Sequence, residues 1–185
     1  FQAQRKDGFI AHMADEKAKP LTPHSQPPVF GYAGMKIISR YPSSALAREF
    51  EAELYEKSKP FIEWWKRARD QNRNGLFEYI SQDEGGWDNS PRANYVPKLG
   101  FIPYWGYLGE ILGYAFKPLD NVDLNSWMYF YYRAMSRWAE DLGKEKEARY
   151  WKEEARKLAS RIDRILSLIH ISEPTRPLYI SYAVF

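Results

Sequence analysis

Cysteine is absent from the 185 residues, which excludes disulfide and thiolate chemistry and leaves the redox compartment unreadable. No run of about 18 apolar residues occurs, so no transmembrane segment is expected. Histidine is scarce as well, and His12 and His24 stand at a spacing that matches no metal motif. Nor does one sign of charge dominate. The 27 basic and 24 acidic residues give a net charge of +3, and the two signs interleave along helical stretches. That pattern describes solvated helix faces rather than a phosphate-binding patch, so nucleic acid is not an expected partner. The chain opens on Phe1 rather than Met, and any export signal would lie upstream of it.

Aromatic area is what the sequence has in excess. Aromatic residues make up 17% of the chain, including 7 Trp and 14 Tyr, and hydrophobic residues make up 44%. That suffices for one core, and the length fits one domain or part of a larger one. Aromatic rings supply packing area, and they also make sugar platforms and interfaces.

Pro20, Pro23, Pro27 and Pro28 keep the first 28 residues irregular. Pro28 then suits a first helical turn, and Val29, Phe30, Ala33, Ile37 and Ile38 fall at helical spacing. This predicts a buried helix ending near Tyr41-Pro42. Ser43 or Ser44 would cap a second helix carrying Leu46, Phe50, Leu54, Phe61 and Trp65, with Pro60 expected to kink or split it. The aromatic, Gly-rich stretch from Leu99 to Phe116 reads mostly as core helix. Asn121 to Ser126 offers capping chemistry for a long helix with the stripe Leu124, Trp127, Tyr131, Ala134, Trp138 and Leu142. Gly143 is a stop, and Ala148, Trp151, Ala155, Leu158, Ile162 and Ile165 give the next helix a matching stripe. Together they predict an αα-hairpin. No segment before Leu168 alternates convincingly as a strand. The predicted class is all-α, helix on helix, with chemistry in the loops at one end.

Two loops carry the chemistry. The first, Gly85-Gly86-Trp87-Asp88-Asn89-Ser90-Pro91-Arg92, sets one carboxylate beside an indole, an amide, a hydroxyl and a guanidinium. Gly and Pro argue for a shaped loop. A Trp face stacks on a sugar, and a partly desolvated acid keeps its proton near neutral pH. The alternative is a capped helix start with a buried Trp. The second loop, Asp70-Gln71-Asn72-Arg73-Asn74-Gly75-Leu76-Phe77-Glu78, has oxygen-bearing residues at positions one, three and five and Gly at six. That matches the first half of a calcium loop, and it departs from an EF-hand at position twelve, where Ser81 stands, while Glu78 falls at nine. A polar turn closed by its own side-chain-to-backbone bonds is the other reading.

Beyond Leu168 the helical pattern breaks, and Leu178 to Phe185 is a short apolar run of β-formers. Residues 1–168 are therefore expected to form a partial helical domain. Residues 169–185 are expected to be a tail foreign to it, similar to a translated adaptor or vector end.

Five stretches resemble glycoside hydrolase family 63, which includes mannosyl-oligosaccharide glucosidases, bacterial α-glucosidases and mannosylglycerate hydrolases. They are Gly8 to His12, Gln26 to Phe30, Arg69 to Leu76, Gly86 to Arg92 and Val122 to Ser126, and they occur in family order. The Trp-Asp-Asn-Ser-Pro-Arg run is the most specific of them. The resemblance implies an incomplete (α/α)6 toroid of antiparallel helical hairpins and inverting hydrolysis of an α-linked glycoside or oligosaccharide. It implies Asp88 as general acid, Gln26 as a residue that reaches the sugar, and Trp87, Asn89 and Arg92 as residues that shape the acid's surroundings. It also implies a structural calcium held by Asp70, Asn72, Asn74 and Leu76, and no organic cofactor. No glutamate in the chain matches the family's base, so none is assigned, and the chain alone is expected not to turn over glycosides. His12 and Asn125 read as structural. The alternatives are a helical-repeat interaction module, opposed by the lack of a period of about 34 residues, and a noncatalytic carbohydrate-binding domain using Trp87, Tyr104 and Trp105.

Overall fold

A computed structural model describes residues 1–41, 45–80, 82–86 and 119–166. The elements in chain order are α1 (Phe30–Arg40), α2 (Ala45–Ala68), β1 (Glu78–Tyr79), the single turn α3 (Gln82–Gly85), β2 (Leu119–Asp120), α4 (Val122–Asp141) and α5 (Glu145–Arg161). A π-helical turn, Ile162–Leu166, ends the described chain. Ser43 and Ser44, the 99–116 stretch and the 169–185 tail lie outside the described residues.

The hairpin of α4 and α5 forms as its periodicity predicts. Ala148, Trp151, Ala155 and Leu158 are all buried, against Leu124, Met128, Tyr131, Met135 and Trp138 of α4. Gly143 takes φ +71°. Its N–H donates to the Glu140 carbonyl at 3.0 Å, and the Lys144 N–H donates to the Ala139 carbonyl at 2.7 Å. This pair of bonds closes the helix end and reverses the chain, in a conformation glycine adopts without steric penalty. The opening of α4 differs from expectation. Asn121 stands at the N-cap without a side-chain capping bond. Its carbonyl instead accepts from the N–H of Asn125 at 3.0 Å and from Asn125 Nδ2 at 2.8 Å.

The helix α2 packs against this hairpin with Phe61 and Trp65 fully buried, Trp65 meeting Phe61 and Trp64 edge-on and Phe61 tilted against Tyr131. The Tyr55 hydroxyl donates to Glu147 Oε2 at 2.7 Å and accepts from Trp151 Nε1 at 3.1 Å, tying α2 to α5. Pro60 does not split α2, which runs unbroken from Ala45 to Ala68. Leu46 does not join its buried stripe and is 75% exposed.

The first helix is not the buried one its spacing predicts: Ile37 is 50% exposed, and Ala33 faces solvent. Its packing face is set by glycines. A Cβ on Gly31 would lie 2.7 Å from Tyr131 Cα, and one on Gly34 would lie 2.3 Å from Leu54 Cδ2 and 2.7 Å from Trp138 Cζ2. The helices approach too closely there for any larger residue, a signal that apolar periodicity does not carry. Among the described residues the named strands pair as one antiparallel ladder, Glu78↔Asp120 and Tyr79↔Leu119, and an isolated bridge joins Ala14 to Pro20. Two residues a side is too short for alternation to appear in the sequence.

Candidate functional site

Trp87, Asp88, Asn89 and Arg92 lie outside the described residues; the lead-in to them, through Gly86, is described. The turn α3 buries Glu84 and Gly85, and the chain leaves it at Gly86 with φ +67°. Glu84 is fully buried, and donors from separate segments meet on its carboxylate. Arg69 reaches it with both arms of its guanidinium, Nε to Oε2 at 2.9 Å and Nη2 to Oε1 at 2.8 Å. The Ser25 N–H donates to Oε1 at 2.9 Å, and the Ile80 N–H donates to Oε2 at 3.1 Å. A carboxylate in the interior needs such compensation, because its desolvation costs several kcal/mol otherwise. The Arg69 guanidinium also lies over the Trp64 ring, 4.6 Å from its centroid.

Gln26 follows Ser25 directly and is exposed, with its Nε2 donating to the His12 carbonyl at 2.7 Å. His12 and His24 sit ring against ring, 5.4 Å between centroids, and the His12 Nδ1 is buried without a hydrogen-bond partner. Burial holds the pKa of His24 below its ordinary value, against the pull of Asp83 and Glu84. The imidazole is thereby kept toward its neutral form.

Beside this cluster runs the loop after α2. Both oxygens of Asp70 accept from the Gly75 N–H at 3.2 Å. Asn72 Oδ1 accepts from the Asn74 N–H at 3.0 Å, and Asn74 Oδ1 accepts from the Leu76 N–H at 2.8 Å. These are the bonds of a polar turn. The Nδ2 groups of Asn72 and Asn74 both donate to the Asp120 carboxylate, at 3.4 and 2.7 Å, so β2 brings a further acid to the loop. Leu76 is fully buried, and Asn125 clamps the neighbouring Phe77 backbone through its N–H at 2.8 Å and its carbonyl at 2.9 Å. Asn125 is thus structural.

Whether these residues suit a cation turns on Glu78. It is fully buried, Oε2 accepts from the Gln71 N–H at 3.2 Å, and Oε1 has no hydrogen-bond partner. Burial raises its carboxyl pKa, and Asp120 and Asp70 push in the same direction. A proton or a cation relieves that arrangement, and an all-oxygen donor set is what a hard cation takes. Among the described residues, no three His, Cys, Asp or Glu side chains converge as metal ligands. A cation held here would have to draw on asparagine and backbone oxygens as well.

Sequence reasoning left Arg69 and Glu84 without roles and did not foresee Asp120 as a partner of the loop. Their one visible signal was adjacency, since Arg69 precedes Asp70 and Glu84 precedes the Gly85-Gly86 pair. None of the described helices is long and apolar enough to cross a membrane.

The mannosylglycerate hydrolase MGH1-like glycoside hydrolase domain matches residues 1–167. Mannosylglycerate hydrolases MGH1 and MGH2 of Selaginella moellendorffii are each 28% identical over 138 residues, covering 65% of this chain and 27% of the relative. A GH63 mannosylglycerate hydrolase from Thermus thermophilus solved with glucose superposes with a TM-score of 0.68 at 24% identity, over 86% of this chain and 48% of that one. The same enzyme solved with Tris and D-glycerate gives 0.66 at 22% identity, over 86% and 50%. The chain therefore spans about half of the solved relatives and about a quarter of the curated ones. At this identity the superposition speaks for the fold, an incomplete (α/α)6 toroid. The match over residues 1–167 makes this chain a member of the mannosylglycerate hydrolase MGH1-like glycoside hydrolases.

Proposed function

We propose that this chain carries the acid side of an inverting α-glycosidase site whose substrate is a small glycoside of the mannosylglycerate type. Asp88 is the general acid, giving its proton to the glycosidic oxygen as the bond to the sugar breaks. Trp87 stacks on the sugar face, Asn89 and Arg92 orient the acid's surroundings, and Gln26 bonds the sugar's hydroxyls. Inversion needs a second carboxylate about 6.5–9.5 Å from the first, placed to draw a proton from the attacking water. No glutamate of these 185 residues matches that role, and we assign the base to chain outside them. On the same reading, residues 169–185 are not part of the domain.

One observation carries the proposal: the family match runs through the Asp88 loop and the Gln26 segment together. Its physical support is that Ser25, the residue before Gln26, and the turn α3, which precedes the Asp88 loop in sequence, meet at one buried carboxylate, Glu84. The oxygen-rich loop of Asp70, Asn72, Asn74 and Leu76, with Glu78 and Asp120, is proposed to hold one Ca2+ in a structural role. That ion would neutralise Glu78 and brace the loop that follows α2, and no step of the reaction passes through it.

The test is hydrolysis of α-mannosyl-D-glycerate and α-glucosyl-D-glycerate by the complete enzyme, with the released sugar followed by proton NMR. The β-anomer appears first if the reading is right. Release of the α-anomer removes the inverting mechanism, and no hydrolysis of either compound removes the substrate class.

A further inference from the structure

Three pieces of chain distant in sequence meet at the Glu84 carboxylate: Ser25 from the irregular N-terminal segment, Arg69 from the end of α2, and α3 itself. Each piece runs directly into a residue assigned above. Ser25 precedes Gln26, Arg69 precedes Asp70, and Glu84 precedes Asp88 by four positions in the sequence. We propose, resting on the reading of Asp88 as the acid, that Arg69 and Glu84 are positioning residues. They fix the direction in which the chain leaves α3.

The geometry suits that work better than it suits stability alone. A two-pronged guanidinium–carboxylate contact is planar and fixes angle as well as distance. Trp64 lies against the guanidinium and Trp65 flanks it, with ring centroids 4.6 and 6.0 Å away, which limits rotation of the Arg69 plane. Arg69 Nη1 donates to the Ala68 carbonyl at 3.1 Å, so the group is anchored to α2 as well. An apolar pair of similar volume would fill the same space with little or no loss of stability, without fixing an angle. Beyond the pair, Gly86 leaves α3 with φ +67°, and no described atom lies within 4 Å of where its Cβ would be.

A displacement of about 1 Å in a catalytic group costs roughly 10²-fold in rate. In the complete enzyme acting on α-mannosyl-D-glycerate, Glu84→Gln is expected to lower kcat by about that factor with little change in KM. The basic limb of the kcat–pH profile, which the general acid sets, should shift with it. Arg69→Lys keeps the charge and loses the fork, and should fall by about 10-fold. A double-mutant cycle with Asp88→Asn separates positioning from general loosening. If the pair acts through Asp88, either variant changes the residual rate of the Asp88→Asn enzyme by less than about twofold. A loss that is the same in both backgrounds overturns the inference, as does a folded Glu84→Gln enzyme with unchanged kcat. Should Glu84→Gln fail to fold, the same cycle with Arg69→Lys decides. An Asp88→Asn enzyme as active as the unaltered one overturns the functional reading and this inference with it.

Discussion

The apolar face of the α4–α5 hairpin and the platform residues Arg69, Glu78 and Glu84 are both buried, yet they are held by different forces. In the hairpin, Trp138, Tyr131 and Leu158 meet as apolar volume, and a turn with two backbone bonds closes the end. In the platform, Arg69, Glu78 and Glu84 are each at least nine-tenths buried and are satisfied by named donors or left short of one. Apolar packing depends on volume and tolerates substitutions that conserve it. A buried charge depends on one partner at one angle, and its loss leaves the other partner uncompensated. The hairpin therefore supports the fold, and the platform aims what is attached to it.

The sharpest way to break this contrast is to cut each region and then relieve it. Trp138→Ala should destabilise the chain by about 3–5 kcal/mol, and Glu84→Ala, which strands the Arg69 charge, should cost a similar ~3–5 kcal/mol, both read by urea unfolding. Replacing Arg69 and Glu84 together by Met should bring stability back to within about 1–2 kcal/mol of the unaltered chain. No comparable second substitution relieves Trp138→Ala. If the double replacement is as unstable as Glu84→Ala, the loss in Glu84→Ala is not that of a stranded charge, and the contrast fails.

The cation loop sharpens the contrast further. Ca2+ at about 100 times its dissociation constant should stabilise the chain by about 2.7 kcal/mol, read as a thermal shift, and Glu78→Gln should abolish most of the response. Without Ca2+ the pH dependence has a definite sign. The folded pKa of Glu78 is raised, so its favourable contribution is complete below the unfolded value, about 4.3, and is lost as pH rises through the folded one. Glu78→Gln should therefore stabilise the metal-free chain at neutral pH. Glu51 supplies the control: burial and Asp141 raise its pKa too, away from the loop. Its pH dependence should persist when Ca2+ is added. A chain indifferent to Ca2+ leaves the loop as a polar turn.

The smallest effect is expected at the hairpin's solvent side. Arg137→Ala removes the exposed ion pair to Asp141, and it should change stability by no more than about 1 kcal/mol. A larger loss would mean that polar contacts matter to the hairpin as they do to the platform.

The same contrast explains what could be read from the sequence. Ala148, Trp151, Ala155 and Leu158 repeat every three to four residues, and a periodic pattern is local information. The Asp70–Asn72–Asn74 spacing was visible for the same reason. The Arg69–Glu84 pair and the Asn74–Asp120 bond join residues that only the folded chain brings together, so neither residue type nor spacing announces them. For α1 the failure was different. Its packing face is marked by Gly31 and Gly34, residues too small to count in an apolar pattern, while Ile37 points outward. Of the two outcomes expected at Pro60, a kink or a split, the split does not occur, because a proline's cost is offset by packing elsewhere along a long helix.

The account rests on one proton donor, and its most direct test is the turnover of α-mannosyl-D-glycerate by the complete enzyme with Asp88 changed to Asn. The predicted result is a fall in kcat of about 10²–10⁴-fold with the thermal midpoint unchanged. A variant that turns over within about threefold of the unaltered enzyme would contradict it, because a proton-transfer role contributes far more than that.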